Sequence, residues 1–325
     1  MERLITENYF LDFMRSESAD QGWKVITNKG NKRLLHYKSQ QQLALSHGWR
    51  ECLADKGYRG VERFLVTRDG KRWVENEGGL YTLSDFWDKR EWPGEKKKRM
   101  EGYSQLGKML GCIHTYFDGI EENDVKDLRK KGVLSRIRFQ SLYDFFQKIP
   151  ADLKRNLTTD TAQMIMGNLN SIAERVQRAE FFYKNSLELT SFSFPQIPLQ
   201  SFIHYENRWY LTGLHFPFVI PIHEDTFSLL NQIYCQEKGE VKGVEHFLTG
   251  YLSEREISRQ EWDSIFAMAI FPWGIVDRLH SILHTGNPKE ITPEQIMPIF
   301  KKQIEQETVL QFLAHWADLR GRVSY

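Results

Sequence analysis

The sequence predicts two lobes of different secondary structure, an α+β arrangement, and three observations predict it. Residues 1–92 alternate strand formers with turn residues around one helical stretch, Trp92-Pro93-Gly94 interrupts the chain, and residues 93–325 are helical apart from a β-rich segment at about 195–221. The length agrees, because 325 residues exceed what one core comfortably holds. A composition of 41% hydrophobic and 27% charged residues is that of a folded globular chain and excludes disordered and fibrous classes. Forty-four Lys and Arg against 43 Asp and Glu leave a net charge of +1. That balance gives no general attraction to nucleic acid or to an anionic membrane, and little repulsion between copies.

In the first lobe, Trp23–Thr27 and Arg33–Lys38 flank the Gly-centred turn Asn28–Asn31, a hairpin signal. Leu43, Ala44, Trp49 and Leu53 are spaced for a helix over 40–56, with Gly57 as its stop. Arg63–Thr67 and Lys71–Glu75 bracket Arg68-Asp69-Gly70 as a second hairpin, and 80–87 reads as a further strand. Beyond the Pro-Gly break, Met100, Tyr103, Leu106, Leu110, Ile113 and Phe117 form one helical stripe. Helices are expected over 142–149, 158–187, 226–236 and 243–252. Ser258-Arg-Gln-Glu261 is a capping box, and Thr292-Pro293-Glu-Gln295 opens the last helix with proline at its first position. A strand-rich small lobe, a hinge and a larger helical lobe holding one β-rich loop segment follow the order of a bilobal protein-kinase-like fold, with 1–92 as the N-lobe and 93–325 as the C-lobe.

Cys52, Cys112 and Cys235 stand far apart without ligand spacing, so neither a disulfide framework nor a zinc site is expected, and each reads as a small buried hydrophobe. Glu2, Glu7 and Asp12 interrupt the start of the chain where a signal peptide would be apolar. The greasiest run, 265–276, is broken by Pro272 and Gly274 and is shorter than the roughly 20 residues of a membrane span. Synthesis in the cytoplasm and no transmembrane segment are the expectations.

A kinase-type site needs a cover over the phosphates, a lysine on the third strand, a carboxylate base, and Asp or Asn to hold Mg²⁺. No GxGxxG stands in the first lobe. Lys38 is the candidate phosphate lysine, and Glu51 its candidate ion-pair partner. No aspartate lies between Asp160 and Asp225, and His204-Tyr205-Glu206-Asn207 is the sole loop-like candidate, with Glu where the base belongs. Nothing from Leu211 to His223 supplies a carboxylate for a metal. His223-Glu224-Asp225 is a near miss whose following Asn is one residue too far, and those residues read as a helix N-terminus. The remnant cleft candidates are therefore Lys38, His204, Glu206 and Asn207, with no catalytic or metal-binding residue assigned. Trp209 and Tyr210 beside His204 read as core packing or as the floor of a ligand cleft.

Several segments resemble the CotS/YutH group of spore-coat-associated proteins, nearer its YutH branch, within the aminoglycoside-phosphotransferase/choline-kinase-like superfamily. They are 60–70, 79–87 (Gly-Leu-Tyr-Thr-Leu-Ser-Asp-Phe-Trp), 106–114 and, most specifically, Phe247–Trp262 continuing to Phe271-Pro272. The resemblance implies the kinase-like fold, residence in the endospore coat and spore-coat proteins as partners. At the superfamily's His-Gly-Asp loop, His204 matches the first position, whereas Tyr205 and Glu206 replace the other two. The expectation is a pseudokinase with a structural or assembly role and no cofactor. The alternative is a divergent ATP- and Mg-dependent small-molecule phosphotransferase using Glu206 and Lys38.

Overall fold

The computed structural model describes residues 1–19, 21–76, 78–87, 92–120, 128–130, 137, 139–142, 144, 146, 148, 159–186, 189–194, 197–206, 208–284 and 292–319. Of the expected helix at 142–149, residues 142, 144, 146 and 148 are described and helical, and the other four lie outside the described residues. The chain divides into two compact units. The first collects Met1–Lys130, Ser191–Ile220 and Lys242–Glu256, and the second Lys131–Thr190, Pro221–Val241 and Ile257–Tyr325. The Trp92-Pro93-Gly94 break thus falls inside the first unit.

The first unit opens with helix α1 (Glu2–Asn8) and strands β1 (Phe13–Ser18), β2 (Trp23–Thr27) and β3 (Gly30–Tyr37). Helix α2 (Gln40–Asp55) follows, then β4 (Val74–Asn76) and β5 (Gly79–Asp85). The five strands form one antiparallel sheet in the order β1-β2-β3-β5-β4. The predicted β2–β3 hairpin is present, with Thr27 opposite Gly30 and Trp23 opposite Leu34. Alternation divides its core. Leu34, Val25 and Leu83 pack with Leu4, Ile5 and Tyr9 of the N-terminal segment. The adjacent residues Leu35 and Tyr37 pack with Leu43 and Phe64. Helix α1, unanticipated from the sequence, is held in place by burying Leu4 and Ile5 there.

The expected strand at Arg63–Thr67 reduces to a single bridge between Phe64 and Ser84. Its ladder is interrupted because the carbonyls of Glu62 and Phe64 accept from the Arg50 and Arg72 side chains instead. The turn at Arg68-Asp69-Gly70 does form, closed by Thr67 N–H to Lys71 O at 2.8 Å.

The unit continues with α3 (Lys96–Asp118). Later come β6 (Thr190–Ser193), the β7–β8 hairpin (Phe202–Tyr205 and Arg208–Leu211) and β9 (Phe218–Pro221), which pairs with β6. Helix α6 (Lys242–Leu252) packs on α3 at a glycine crossing. A Cβ at Gly107 would lie 2.1 Å from Phe247 O, and one at Gly250 2.1 Å from Ser104 O.

The second unit holds α4 (Thr159–Ser186), α5 (Glu224–Gln236), α7 (Arg259–Ile270), α8 (Trp273–His284) and α9 (Pro293–Leu319). Helices α4 and α7 pack through Phe182 and Phe266, whose rings are 5.7 Å apart. The Ser258 capping box forms as expected: Ser258 Oγ accepts from Glu261 N–H, and Glu261 Oε2 accepts from Ser258 N–H. Pro293 is the first residue of α9. Pro272 ends α7, yet α8 restarts at once, so the greasy run spans two helices rather than one. No helix among the described residues is long and apolar enough to cross a membrane. All three cysteines are free, but only Cys112 is fully buried; Cys235 is exposed on α5, contrary to expectation, because the apolar stripe of that helix runs through Leu229, Leu230 and Ile233 instead.

Candidate functional site

Helix α2 begins where Ser39 Oγ accepts from Gln42 N–H, and its buried face carries Gln42, Ser46, Trp49, Arg50 and Leu53. Ser46 and Arg50 are one helical turn apart, so both side chains leave the same face. That face meets the chain leaving β8, Leu214-His215-Phe216, and the Arg50 guanidinium sits at the junction. Its five N–H donors all have acceptors. Nε donates to Glu62 O at 2.7 Å, and Nη1 to Ser46 O (2.5 Å) and Ser46 Oγ (2.6 Å). Nη2 donates to Leu214 O (2.7 Å) and His215 Nδ1 (3.0 Å). The ring face of Trp49, 4.2 Å from the guanidinium carbon, stacks against it.

His215 is fully enclosed and its ring geometry is fixed from both sides. Because Arg50 can only donate, His215 Nδ1 is the acceptor and the ring proton sits on Nε2, which faces Glu62 Oε2 at 3.9 Å. Its backbone carbonyl accepts from Ser46 Oγ at 2.7 Å and lies 3.0 Å from Tyr37 Oη. Burial is the main reason its pKa lies well below the ordinary histidine range, and the Arg50 and Arg33 guanidiniums add to it. Glu62 does not reverse this, since its carboxylate is already engaged. Oε1 takes Ser84 Oγ at 2.6 Å and lies 3.3 Å from Arg33 Nε, while Oε2 takes Gly213 N–H at 3.0 Å. Burial also pushes the Tyr37 hydroxyl up to about 12. Arg33, Arg50, Glu62, His215, Tyr37 and Ser46 thus form one buried network joining β3, α2 and the exit of β8, with a neutral imidazole among fixed charges.

A kinase-type site needs a carboxylate base and Asp or Asn side chains to hold Mg²⁺. The sequence from Phe194 to Ser201, ahead of β7, contains no acid, and the exit of β8 offers His215. A divalent cation there would meet two guanidiniums, the His215 N–H and one carboxylate, Glu62, whose oxygens already accept from Ser84 and Gly213. Among the described residues no group of three or more His, Cys, Asp and Glu is arranged to hold a metal. Around His215 two guanidiniums face one carboxylate, a local balance that disfavours a divalent cation at that spot.

The sequence-derived candidates fall elsewhere. Lys38 lies one residue past β3, beside a shallow groove of about 330 Å³ lined by Tyr37, Glu75, Asn76, Gly78, Gly79 and Leu80. Glu51 pairs with Arg63 and His47, not with Lys38. His204 is a strand residue on β7, opposite Trp209 with the rings 4.9 Å apart. Glu206 is exposed in the two-residue turn of the hairpin, with φ 46°, the left-handed conformation such turns require. Asn207 lies outside the described residues. His204 and Glu206 therefore share a hairpin, and neither lines the Lys38 groove. Trp209 is half-buried and packed: it stacks on Phe202 at 4.8 Å and an interplanar angle of 4°, meets Trp92 at 5.1 Å, and fills the space a Cβ on Gly102 would need. In the second unit, His223 is the N-cap of α5 at φ 64°, and Asp225 Oδ1 accepts from Thr226 N–H, so that tripeptide does open a helix.

Sequence reading missed Arg33, Arg50 and His215. A signal was present for Arg50, since it falls on the same helical stripe as Leu43 and Leu53, where an unpaired charge is not tolerated.

No family model and no curated protein matches the sequence. Solved structures do match by fold. One is an aminoglycoside phosphotransferase from Alicyclobacillus acidocaldarius subsp. acidocaldarius DSM 446, with TM-score 0.69 and 13% identity over 99% of this chain and 97% of that one. Another is a spectinomycin phosphotransferase in complex with ADP and spectinomycin, with TM-score 0.56 and 14% identity over 94% and 95% of the two chains. The chain has the kinase-like α+β fold of these phosphotransferases.

Proposed function

We propose that this protein is a non-catalytic member of the kinase-like fold, a pseudokinase, acting as a component or assembly factor of the bacterial endospore coat. The observation that carries the first half is the Arg50–His215 junction. At the exit of β8 the buried Glu62 carboxylate is taken up by Ser84, Gly213 N–H and Arg33, and beside it stands a neutral histidine whose acceptor nitrogen is taken by a guanidinium. Lys38 and Glu206 add no counterweight, one beside a groove at the end of β3 and the other exposed in a turn. The coat assignment rests on the resemblance of 247–262 and its neighbours to spore-coat-associated proteins.

Two measurements test the two halves separately. Titration calorimetry of the full chain with Mg-ATP should show no binding heat, and fractionated spores should contain the protein in the coat. Magnesium-dependent ATP binding with turnover that vanishes in Glu206→Gln would overturn the first half. Absence of the protein from spores would overturn the second.

A further inference from the structure

We propose that the outer edge of β1 is a self-association face on which a second copy of this chain adds its own β1 in antiparallel register, centred on Ser16. The inference is independent of whether the cleft binds nucleotide.

Strand β1 ends the sheet, and among the described residues no strand pairs its outer side. A free edge is a template for another strand, and proteins blunt such edges with proline, bulges, charged side chains or a covering element. β1 contains no proline, and after Phe13 every residue in it is exposed. A bulge lies between Phe13 and Arg15, after which the ladder is regular: Arg15 to Ile26, Ser16 to Val25, Glu17 to Lys24, Ser18 to Trp23. The bulge leaves Met14 63% exposed at the start of this run.

The charges on that run decide the partner. Arg15 and Glu17 point to the same face, their side chains 70% and 48% exposed and 3.3 Å apart. In an antiparallel pair centred on Ser16, Arg15 faces Glu17 of the other copy and Glu17 faces its Arg15. Shifting the centre to Glu17 sets like charges opposite each other, which is destabilising. The strand is therefore complementary to itself in one register, the property a two-fold symmetric interface requires. Lys24 pairs with Glu17 in the β1–β2 register, with its ammonium over the Phe86 ring, 5.1 Å from the centroid. A net charge of +1 places little repulsion in the way.

The experiment is sedimentation of the full-length protein over a concentration series, at low and raised salt, with Glu17→Arg, Arg15→Glu and their equimolar mixture. The wild type should form a salt-weakened dimer. Each single reversal should weaken it by about tenfold or more, since two cross-strand attractions become two repulsions. The mixture should recover dimer, because one variant then presents only cations on this face and the other only carboxylates, so that both cross-strand pairs are again attractive. A wild type that stays monomeric throughout, reversals without effect, or a mixture that does not recover would each overturn the proposal. Thermal melts establish that the variants are folded; both positions are surface positions, and if Glu17→Arg beside Lys24 melts early, the salt series and Arg15→Glu decide alone.

Discussion

Arg50 is a buried charge with every donor matched, so its value is best seen in what its removal would strand. Arg50→Met would leave His215 Nδ1 and the carbonyls of Glu62 and Leu214 without their donor in a closed interior. The expected loss is about 3–5 kcal/mol of unfolding free energy, measured by urea denaturation. His215 supplies a second prediction at this scale. An unfolded histidine takes its proton near pH 6.5, whereas folded His215, enclosed and facing Arg50 and Arg33, does so only at lower pH. The unfolded state then binds more protons, so stability is complete above pH 6.5 and falls as the pH drops below it. The slope approaches about 1.4 kcal/mol per pH unit until the folded pKa is reached. His47, lowered mainly by burial, contributes in the same direction. His215→Asn should flatten the acid limb of the stability–pH curve. A limb that keeps its slope in that variant would place the titration elsewhere.

Between elements, the α3–α6 crossing depends on glycine for contact rather than for backbone freedom. Gly107→Ala gains about 1 kcal/mol of helix propensity in isolation, but its Cβ would meet a backbone oxygen at 2.1 Å, and backbone has little room to yield. A lowered melting temperature is expected. Gly167→Ala on α4, with nothing within 4 Å of its added Cβ, should raise stability by about 0.5–1 kcal/mol. The opposite signs separate crossing from propensity. Capping, turns and apolar stripes were readable because they are local: Ser258–Glu261 and the bounds of α2 and α3 lie within a residue of where the sequence puts them, and the expected hairpin turn forms, though tightened from Asn28–Asn31 to Asn28-Lys29 with Gly30 already paired. The helix α1 was not, because a single turn or two is held by Leu4 and Ile5 meeting Leu34 and Leu83, residues distant in sequence. The polar network was hidden for the same reason. Arg50 and His215 are separated by most of the first unit, and only the fold makes them neighbours. Glu206 looked like a base because a tripeptide motif carries no information on whether it sits in a loop or in a hairpin turn.

For the molecule as a whole, the kinase-like fold and the nucleotide question part company. If the Arg50–His215 junction replaces the metal site, Mg-ATP in excess should leave the melting temperature unchanged, because a ligand stabilises only what it binds. The first unit also sets a condition on any fragment. Residues 1–130 alone lack the hairpin that supplies Leu211 to Gly60 and His215 to Arg50, and lack α6 under α3. Expressed by themselves they should give a collapsed, poorly dispersed amide NMR spectrum, whereas the full chain should not. A well-dispersed spectrum from that fragment would mean its core closes unaided.

The same discontinuity has a timetable attached. The ribosome delivers the sheet and α3 first, but the strands that complete their core end at Pro221 and the helix that seals α3 ends at Leu252. At roughly 5–20 residues per second, the apolar faces of β3, α2 and α3 wait on the order of 10 s before their partners emerge. During that interval the nascent chain displays Leu35, Tyr37, Leu106 and Leu110 to solvent, the exposure that makes such intermediates prone to aggregate.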